Sequence, residues 1–307
     1  NRIFSHCRWI NLKFIQVSGV AHSFLHDLRS VNDSPEDEIV SSKNPHRQKA
    51  LVTAGASGIG RVIAGALHDA GFDVHLCDVD ADALDRIRQE FPGMHAHRGD
   101  VSDPKDVATV FTAVDQQPGI LSLLVNNAGI AGPTAPVQDI KLEDWRRTLD
   151  VNLDGAFLCA REATPRLLDG GGGCIINIAS NAALFGFPNR LPYTVSKWGL
   201  IGLTKTLAME LGPRGIRVNA LCPGSVSGPR IEGVIERDAA ERGLATEAVR
   251  REYQRQSSMR CFVDAEDVAA MVVFLASPAG GRISGQAIAI DGHTEGLSQL
   301  DNDFTTT

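Results

Sequence analysis

The run Thr53-Ala54-Gly55-Ala56-Ser57-Gly58-Ile59-Gly60 follows the short apolar stretch Ala50–Thr53 and opens a segment whose apolar residues recur at helical spacing. Glycines here let the chain turn tightly between a strand and a helix. They also let backbone N–H groups approach a pyrophosphate at the helix N-terminus, where the peptide dipoles favour an anion. An ordinary βα turn has similar residues, so the context decides. A second strand, Asp73–Cys77, leads into Asp78, 18 residues after Gly60. A carboxylate at about that distance accepts from a ribose 2′-hydroxyl and repels a 2′-phosphate. No Arg or Lys lies in the turn or just after the strand to welcome a phosphate, so the residues read as NAD over NADP. Gly55, Ser57, Gly58, Ile59, Gly60 and Asp78 are the expected cofactor contacts of this segment.

Outward from the turn, β-branched or apolar runs alternate with amphipathic stretches. Strands are expected at Ala50–Thr53, Asp73–Cys77, Met94–His97, Leu121–Asn126, Cys174–Ile178, Arg217–Leu221 and Ala287–Asp291. Helices are expected near 58–70, 81–90, 103–116, 141–169, 193–211 and 264–277. Such alternation predicts an α/β fold, doubly wound, with a mostly parallel seven-stranded sheet and helices on both faces. The charged stretch 224–262 has no expected strand and reads as a lid.

Length alone would suggest two domains, but the composition shows no split. One domain is expected over 50–296, with a tail at 297–307 and an N-terminal extension at 1–49 expected to be disordered. That extension is basic and acid-poor over its first 30 residues, as targeting segments are, but its helical apolar stripe is weak. The whole chain has 30 basic and 37 acidic residues and no basic cluster, which excludes phosphate-backbone binding and thus nucleic acid. The longest apolar run, Val268–Ala276, falls far short of the ~18 residues that cross a bilayer. The six cysteines are scattered, with no zinc spacing, so neither metal nor disulfide is expected and the compartment reads as reducing, hence cytoplasmic.

Tyr193 and Lys197 stand one helical turn apart on one face. A free tyrosine is too weak an acid to act as a base at neutral pH, and a nearby ammonium favours its phenolate. Ser180 lies thirteen residues before Tyr193, just past a strand's C-terminal end, where open α/β sheets bind ligands.

With these residues the chain resembles the short-chain dehydrogenase/reductase family, in its one-domain branch with a Rossmann-type fold. The resemblance covers Ala50–Gly292 and rests on Thr53–Gly60, Gly99-Asp100-Val101, Asn126-Asn127-Ala128-Gly129, Asn152, Ser180, Tyr193 with Lys197, and Pro223-Gly224, in that order. It implies Tyr193 as general acid/base, with Lys197 tuning it and bonding the nicotinamide ribose. It further implies Ser180 positioning the substrate oxygen and Asn152 holding a water that links Lys197 to solvent. Asp100 and Val101 would contact the adenine and Asn127 the adenosine half of the cofactor, with Pro223, Gly224 and Val226 also beside the cofactor. Asn126 reads as a structural residue of the central strand. Two departures stand out. The family's usual first glycine is Ala54, and a threonine expected after Pro-Gly is Gly228, leaving Ser227 or a backbone group in its place.

The resemblance implies an NAD-dependent oxidoreductase interconverting a small secondary alcohol and a ketone, as a homo-oligomer, tetrameric in most of the family. Arg190, Arg230 and the lid charges Glu232, Glu236, Arg237, Asp238, Glu241 and Arg242 favour a polar substrate. A 3-oxoacyl thioester reductase is the runner-up, opposed by Asp78. A silent dinucleotide-binding regulator would have no use for the Tyr193–Lys197 pair, and an extended-branch epimerase would need a longer C-terminal domain.

Overall fold

The computed structural model describes residues 47–294, so the expectations for 1–46 and 295–307 lie outside the described residues. Seven strands form one sheet: β1 (Gln48–Thr53), β2 (Asp73–Asp78), β3 (His95–Arg98), β4 (Ile120–Asn126), β5 (Gly173–Ile178), β6 (Ile216–Pro223) and β7 (Ala287–Ile290). Their order is β3-β2-β1-β4-β5-β6-β7, and every pairing is parallel. Strand order reverses between β1 and β4, which opens a crevice at the C-terminal ends of the strands.

Nine α-helices are described. They are α1 (Gly58–Asp69), α2 (Ala81–Glu90), α3 (Pro104–Asp115), α4 (Leu142–Leu149), α5 (Gly155–Asp169), α6 (Leu191–Leu211), α7 (Pro229–Arg242), α8 (Thr246–Arg255) and α9 (Ala265–Ala276). Because side chains alternate along a strand, Ala50 and Val52 of β1 face one layer and Leu51 faces the other. The first layer brings Ile63 and Leu67 of α1, Leu84 and Ile87 of α2, and Val268 and Val272 of α9 onto the sheet. The second brings Val110 and Phe111 of α3 and Ala163 and Leu167 of α5. The sheet is therefore buried on both faces, which explains the almost continuous apolar strands in the sequence.

Strand and helix ends differ from expectation by one or two residues, and three differences have a visible cause. The first strand starts at Gln48, two residues early, because Lys49 is buried and its ammonium donates to the carbonyls of Val114 (2.8 Å) and Gln117 (2.9 Å) at the end of α3. The helix expected over 141–169 is broken by a π-helical turn at Asp150–Asp154, between α4 and α5. Helix α6 begins at Leu191 because Pro192 suits a first helical turn, where no backbone donor is needed. The stretch 224–262 folds as α7 and α8 around Ile235, Ala239 and Val249, and its base is tied to the body by a parallel bridge from Val226 to Val263.

Candidate active site

The site is assembled at the C-terminal ends of β1, β2, β4, β5 and β6. After β1 the chain makes its tight turn with Ala54 at φ +48° and Gly58 at φ +51°, so the family's glycine position is left-handed backbone occupied here by alanine. A Cβ on Gly60 would collide with the Ala54 carbonyl, and one on Gly55 would lie 2.7 Å from Leu76 Cβ. Both positions need glycine. Ser57 precedes α1 without a side-chain cap, and the first turn of α1, which includes Ile59, contains no acidic residue. Its N–H groups are thus open to an anion.

Asp78 ends β2 buried, its carboxylate turned to this loop. One oxygen accepts from Ala56 N at 3.2 Å and the other from Asp80 N at 3.1 Å, and an ionised carboxylate keeps further acceptor capacity for a ribose hydroxyl. Arg61, just past the turn, pairs instead with Glu90 and lies over the Phe91 ring. A cradle that only glycine fits, an uncapped helix start and a buried acceptor suit a dinucleotide.

The structure gives several predicted residues other partners. Asn127 donates from its side chain to the Thr53 (3.0 Å) and Ala54 (3.1 Å) carbonyls, while its backbone N–H and that of Ala128 donate to Thr53 Oγ1. It therefore clamps the glycine turn to β4. Asp100 accepts from Ser102 and from Arg147 at 3.1 Å; burial works against its ionisation, but these bonds together hold its pKa below the usual carboxylate range. Val101 is buried against Gly155 of α5. Asn126 is also buried, donating to Asn177 Oδ1 at 2.9 Å, and Asn177 donates in turn to Thr204 Oγ1 at 2.8 Å. This amide relay, absent from the sequence reading beyond Asn126, pins α6 to the centre of the sheet.

Helix α6 carries Tyr193 and Lys197. Lys197 is buried, and its ammonium donates to the Ile178 carbonyl at 2.9 Å, two residues before Ser180. The same nitrogen lies 5.7 Å from the centre of the Tyr193 ring. Burial lowers its pKa; Tyr193 works in the opposite direction, and Arg230 adds to the lowering. A Cβ on Gly129 would sit 3.2 Å from Lys197 Nζ and 3.4 Å from Asn152 Oδ1, so the two side chains meet over that glycine. Asn152 lies in the π-helical turn, buried, with Oδ1 accepting from Ile130 N and Nδ2 donating to Ile130 O and to Ser196 Oγ. Ser196 was not legible as a site residue; its signal is only that it lies next to Lys197 on the inner face of α6. Ser180 Oγ accepts from Ala182 N at 3.2 Å and lies 3.4 Å from Asn181 Oδ1. Cys222 stands near Lys197, its thiol pushed up to about 11 by burial, and does not act as a nucleophile at neutral pH.

Beyond β6, Gly224 N donates to Ile290 O, and a Cβ there would lie 2.9 Å from Asp291 Cβ, so Pro223-Gly224 brings the chain close to the last strand. Gly228 adopts φ +134° just before α7, a backbone that glycine takes more readily than the family's threonine. Arg190 lies over Tyr193, its guanidinium carbon 5.1 Å from the ring centre and its Nη2 donating to Ala131 O at 3.0 Å. Its Nε is buried without a partner.

The family model described as enoyl-(acyl carrier protein) reductase matches residues 53–294. The chain is 36% identical over 256 residues to the D-threitol dehydrogenase of Mycolicibacterium smegmatis, covering 79% of this chain and 91% of that one. The chain belongs to the short-chain dehydrogenase/reductase family. This short-chain dehydrogenase/reductase is similar in structure to an actinorhodin polyketide ketoreductase with NADPH, with a TM-score of 0.76, 31% identity, and coverage of 80% of this chain and 96% of that one. It is also similar to an NAD+-bound xylitol dehydrogenase, with a TM-score of 0.74, 30% identity, and coverage of 80% and 98%. Among the described residues no helix is long and apolar enough to cross a membrane.

Proposed function

We propose that this oxidoreductase interconverts a secondary alcohol and a ketone on a small polar substrate, with NAD as cofactor and Tyr193 as acid/base. The observation that carries the reading is the buried Lys197 ammonium, fixed on the Ile178 carbonyl, two residues before Ser180, and facing the Tyr193 ring. A nicotinamide bound here supplies the hydride acceptor or donor. Tyr193 takes the hydroxyl proton in oxidation and returns it to the carbonyl oxygen in reduction. Lys197 cannot swing away, and its charge attracts the negative charge that the phenol acquires on losing its proton. Ser180 offers a hydroxyl to the same substrate oxygen. Asn152 keeps the floor under Lys197 rigid through its bonds to Ile130 and Ser196.

Asp78 supports NAD, because its buried carboxylate would face a 2′-phosphate with like charge. Arg190 supports a polar substrate: a guanidinium against the Tyr193 ring, with a buried unpaired Nε, offers donors to a hydroxyl-rich or anionic group. The lid charges support it less than their number suggests. Glu232 pairs with Arg250, and Arg242 pairs with Asp238 and Glu252, so these charges serve the lid itself. Arg230 is exposed at the lid's start and acts electrostatically on Arg190 and Lys197.

The test follows NADH absorbance with tetritols, pentitols, hydroxy acids, medium-chain alcohols and, in reverse with NADPH, a 3-oxoacyl thioester. Polar hydroxy compounds should be turned over best, with Arg190→Ala or Arg230→Ala raising KM for them selectively over a neutral alcohol of similar size. Better turnover of medium-chain alcohols, or of the thioester, would overturn the polar-substrate reading.

A further inference from the structure

The far edge of the sheet holds a group of side chains that the proposed reaction does not use. Asp73 and His75 alternate on β2, His95 and His97 on β3, and parallel pairing sets His75 beside His95. All four therefore project from one face, the one covered by α3. His75 and Asp73 are buried, at 0% and 2% exposure, while His95 is half-buried at the edge. The His75 ring stacks on His95 with centres 4.5 Å apart, and His75 Nδ1 lies 3.1 Å from His97 Nε2. His95 Nε2 is 3.3 Å from Asp73 Oδ1, an ion-pair distance without hydrogen-bond alignment.

Two buried atoms of this group, Asp73 Oδ1 and His75 Nε2, have no hydrogen-bond partner among the described residues. Buried polar atoms are almost always paired, so two orphans in one cluster call for a ligand. Their chemistry names its kind. The contact between His75 Nδ1 and His97 Nε2 at 3.1 Å needs one proton between them; with His75 Nδ1 as donor, His75 Nε2 presents a bare lone pair. A ring nitrogen so supported by a second acceptor is the usual arrangement of a metal-ligating histidine.

We propose that Asp73, His75 and His95 form a binding site for a divalent transition-metal ion of the zinc type, with His97 holding His75 in its ligating tautomer. One ligand atom from each of the three lies within 4.8 Å of the others. Zinc bonds of about 2.0–2.2 Å require closer approach, and the half-buried His95 on its four-residue edge strand is the ligand that moves. Two imidazoles and one carboxylate suit zinc, whereas magnesium and calcium favour all-oxygen sets. Arg47, 3.7 Å from Asp73 and mostly exposed, is the cation that yields; Lys49 is held elsewhere by two carbonyls. The ion would staple β3 to β2 at the end of β2 opposite Asp78, so it acts on stability and not on turnover.

The test uses the full chain, stripped with EDTA and titrated with Zn2+ or Mg2+ while heat and Tm are recorded. Since His6, Cys7, His22, His26 and His46 are also present in the chain, the diagnostic is the difference between wild type and His95→Gln. Zinc should raise the wild-type Tm and magnesium should not. His95→Gln should lose one zinc equivalent, or bind it at least tenfold more weakly, and lose the Tm gain. Asp73→Asn, isosteric at the buried ligand, should behave alike. Imidazole 15N spectra of wild type need no variant: zinc should shift two ring-nitrogen signals that Mg2+ leaves in place. Equal stoichiometry and equal Tm gain in wild type and His95→Gln, no zinc effect on the wild-type Tm, or unmoved 15N signals would each overturn the site.

Discussion

Asn152 donates to Ser196 Oγ at 3.0 Å, and Ser196 Oγ donates at 2.7 Å to the carbonyl of Tyr193. The π-helical turn before α5 and the first turns of α6 are thus locked together through one buried hydroxyl. Ser196→Ala removes that lock and nothing that touches substrate. The expected outcome is a loss of roughly 1–3 kcal/mol in unfolding free energy, the range for disrupting a buried hydrogen bond, and a lower kcat with KM for NAD unchanged. Denaturant titration and steady-state kinetics check it, and a variant with wild-type kcat would remove Ser196 from any positioning role.

Tyr193→Phe keeps the ring that Arg190 and Lys197 face and removes only the transferable proton. Turnover should fall by at least about 10²–10⁴, the usual share of general acid–base catalysis, while NAD binding, measured by fluorescence titration, stays nearly intact. More than a tenth of wild-type kcat would rule Tyr193 out as the acid/base.

Asp78→Ala should narrow or reverse the preference for NAD. It removes acceptors from the ribose and a like charge from the region of a 2′-phosphate, and hydrogen bonds to charged groups are worth about 1.5–3 kcal/mol. The same change frees Ala56 N and Asp80 N, so Tm should drop as well. The comparison is kcat/KM for NAD against NADP in both proteins. A wild type that already favours NADP contradicts the role given to Asp78.

Ala54→Gly should stabilise the chain. Left-handed backbone costs an alanine about 1–2 kcal/mol, and glycine gives back about 0.4–1 kcal/mol through its freer unfolded state. A net gain of about 0.5–1 kcal/mol in a denaturant midpoint is expected, with NAD affinity equal or tighter. A loss of stability would show that the methyl group packs usefully in the turn.

Phe157 on α5 and Trp198 on α6 are each about half exposed, at 48% and 49%, and Met209 of α6 is 81% exposed. Large apolar side chains left in the open on a protein's surface are expected to line an interface, here between copies of this chain. Trp198→Glu should shift sedimentation toward a smaller species. An unchanged wild-type monomer would remove the basis of that expectation.

Much of this protein was legible along the chain because the deciding signals are local. Strand and helix periods are read within ten residues, the glycine turn within eight, and the Tyr193–Lys197 spacing within one helical turn. Asp78 follows from the length of a single βα unit. What only the tertiary structure decided depends on segments distant in sequence meeting in space. The expected helix over 141–169 is interrupted by a π-turn that carries Asn152, whose side chain meets Ile130 and Ser196. Asn127 turned out to hold the glycine turn because β4 pairs in parallel with β1, which brings the C-terminal ends of the two strands side by side. Two of the six lid charges, Glu232 and Arg242, are neutralised by Arg250 and Glu252 on the neighbouring helix. The histidines of β2 and β3 are twenty residues apart and become one cluster only through parallel pairing of those strands. The sequence pattern located the strands and helices; the register between strands, set by packing of the whole core, determined which side chains share a site.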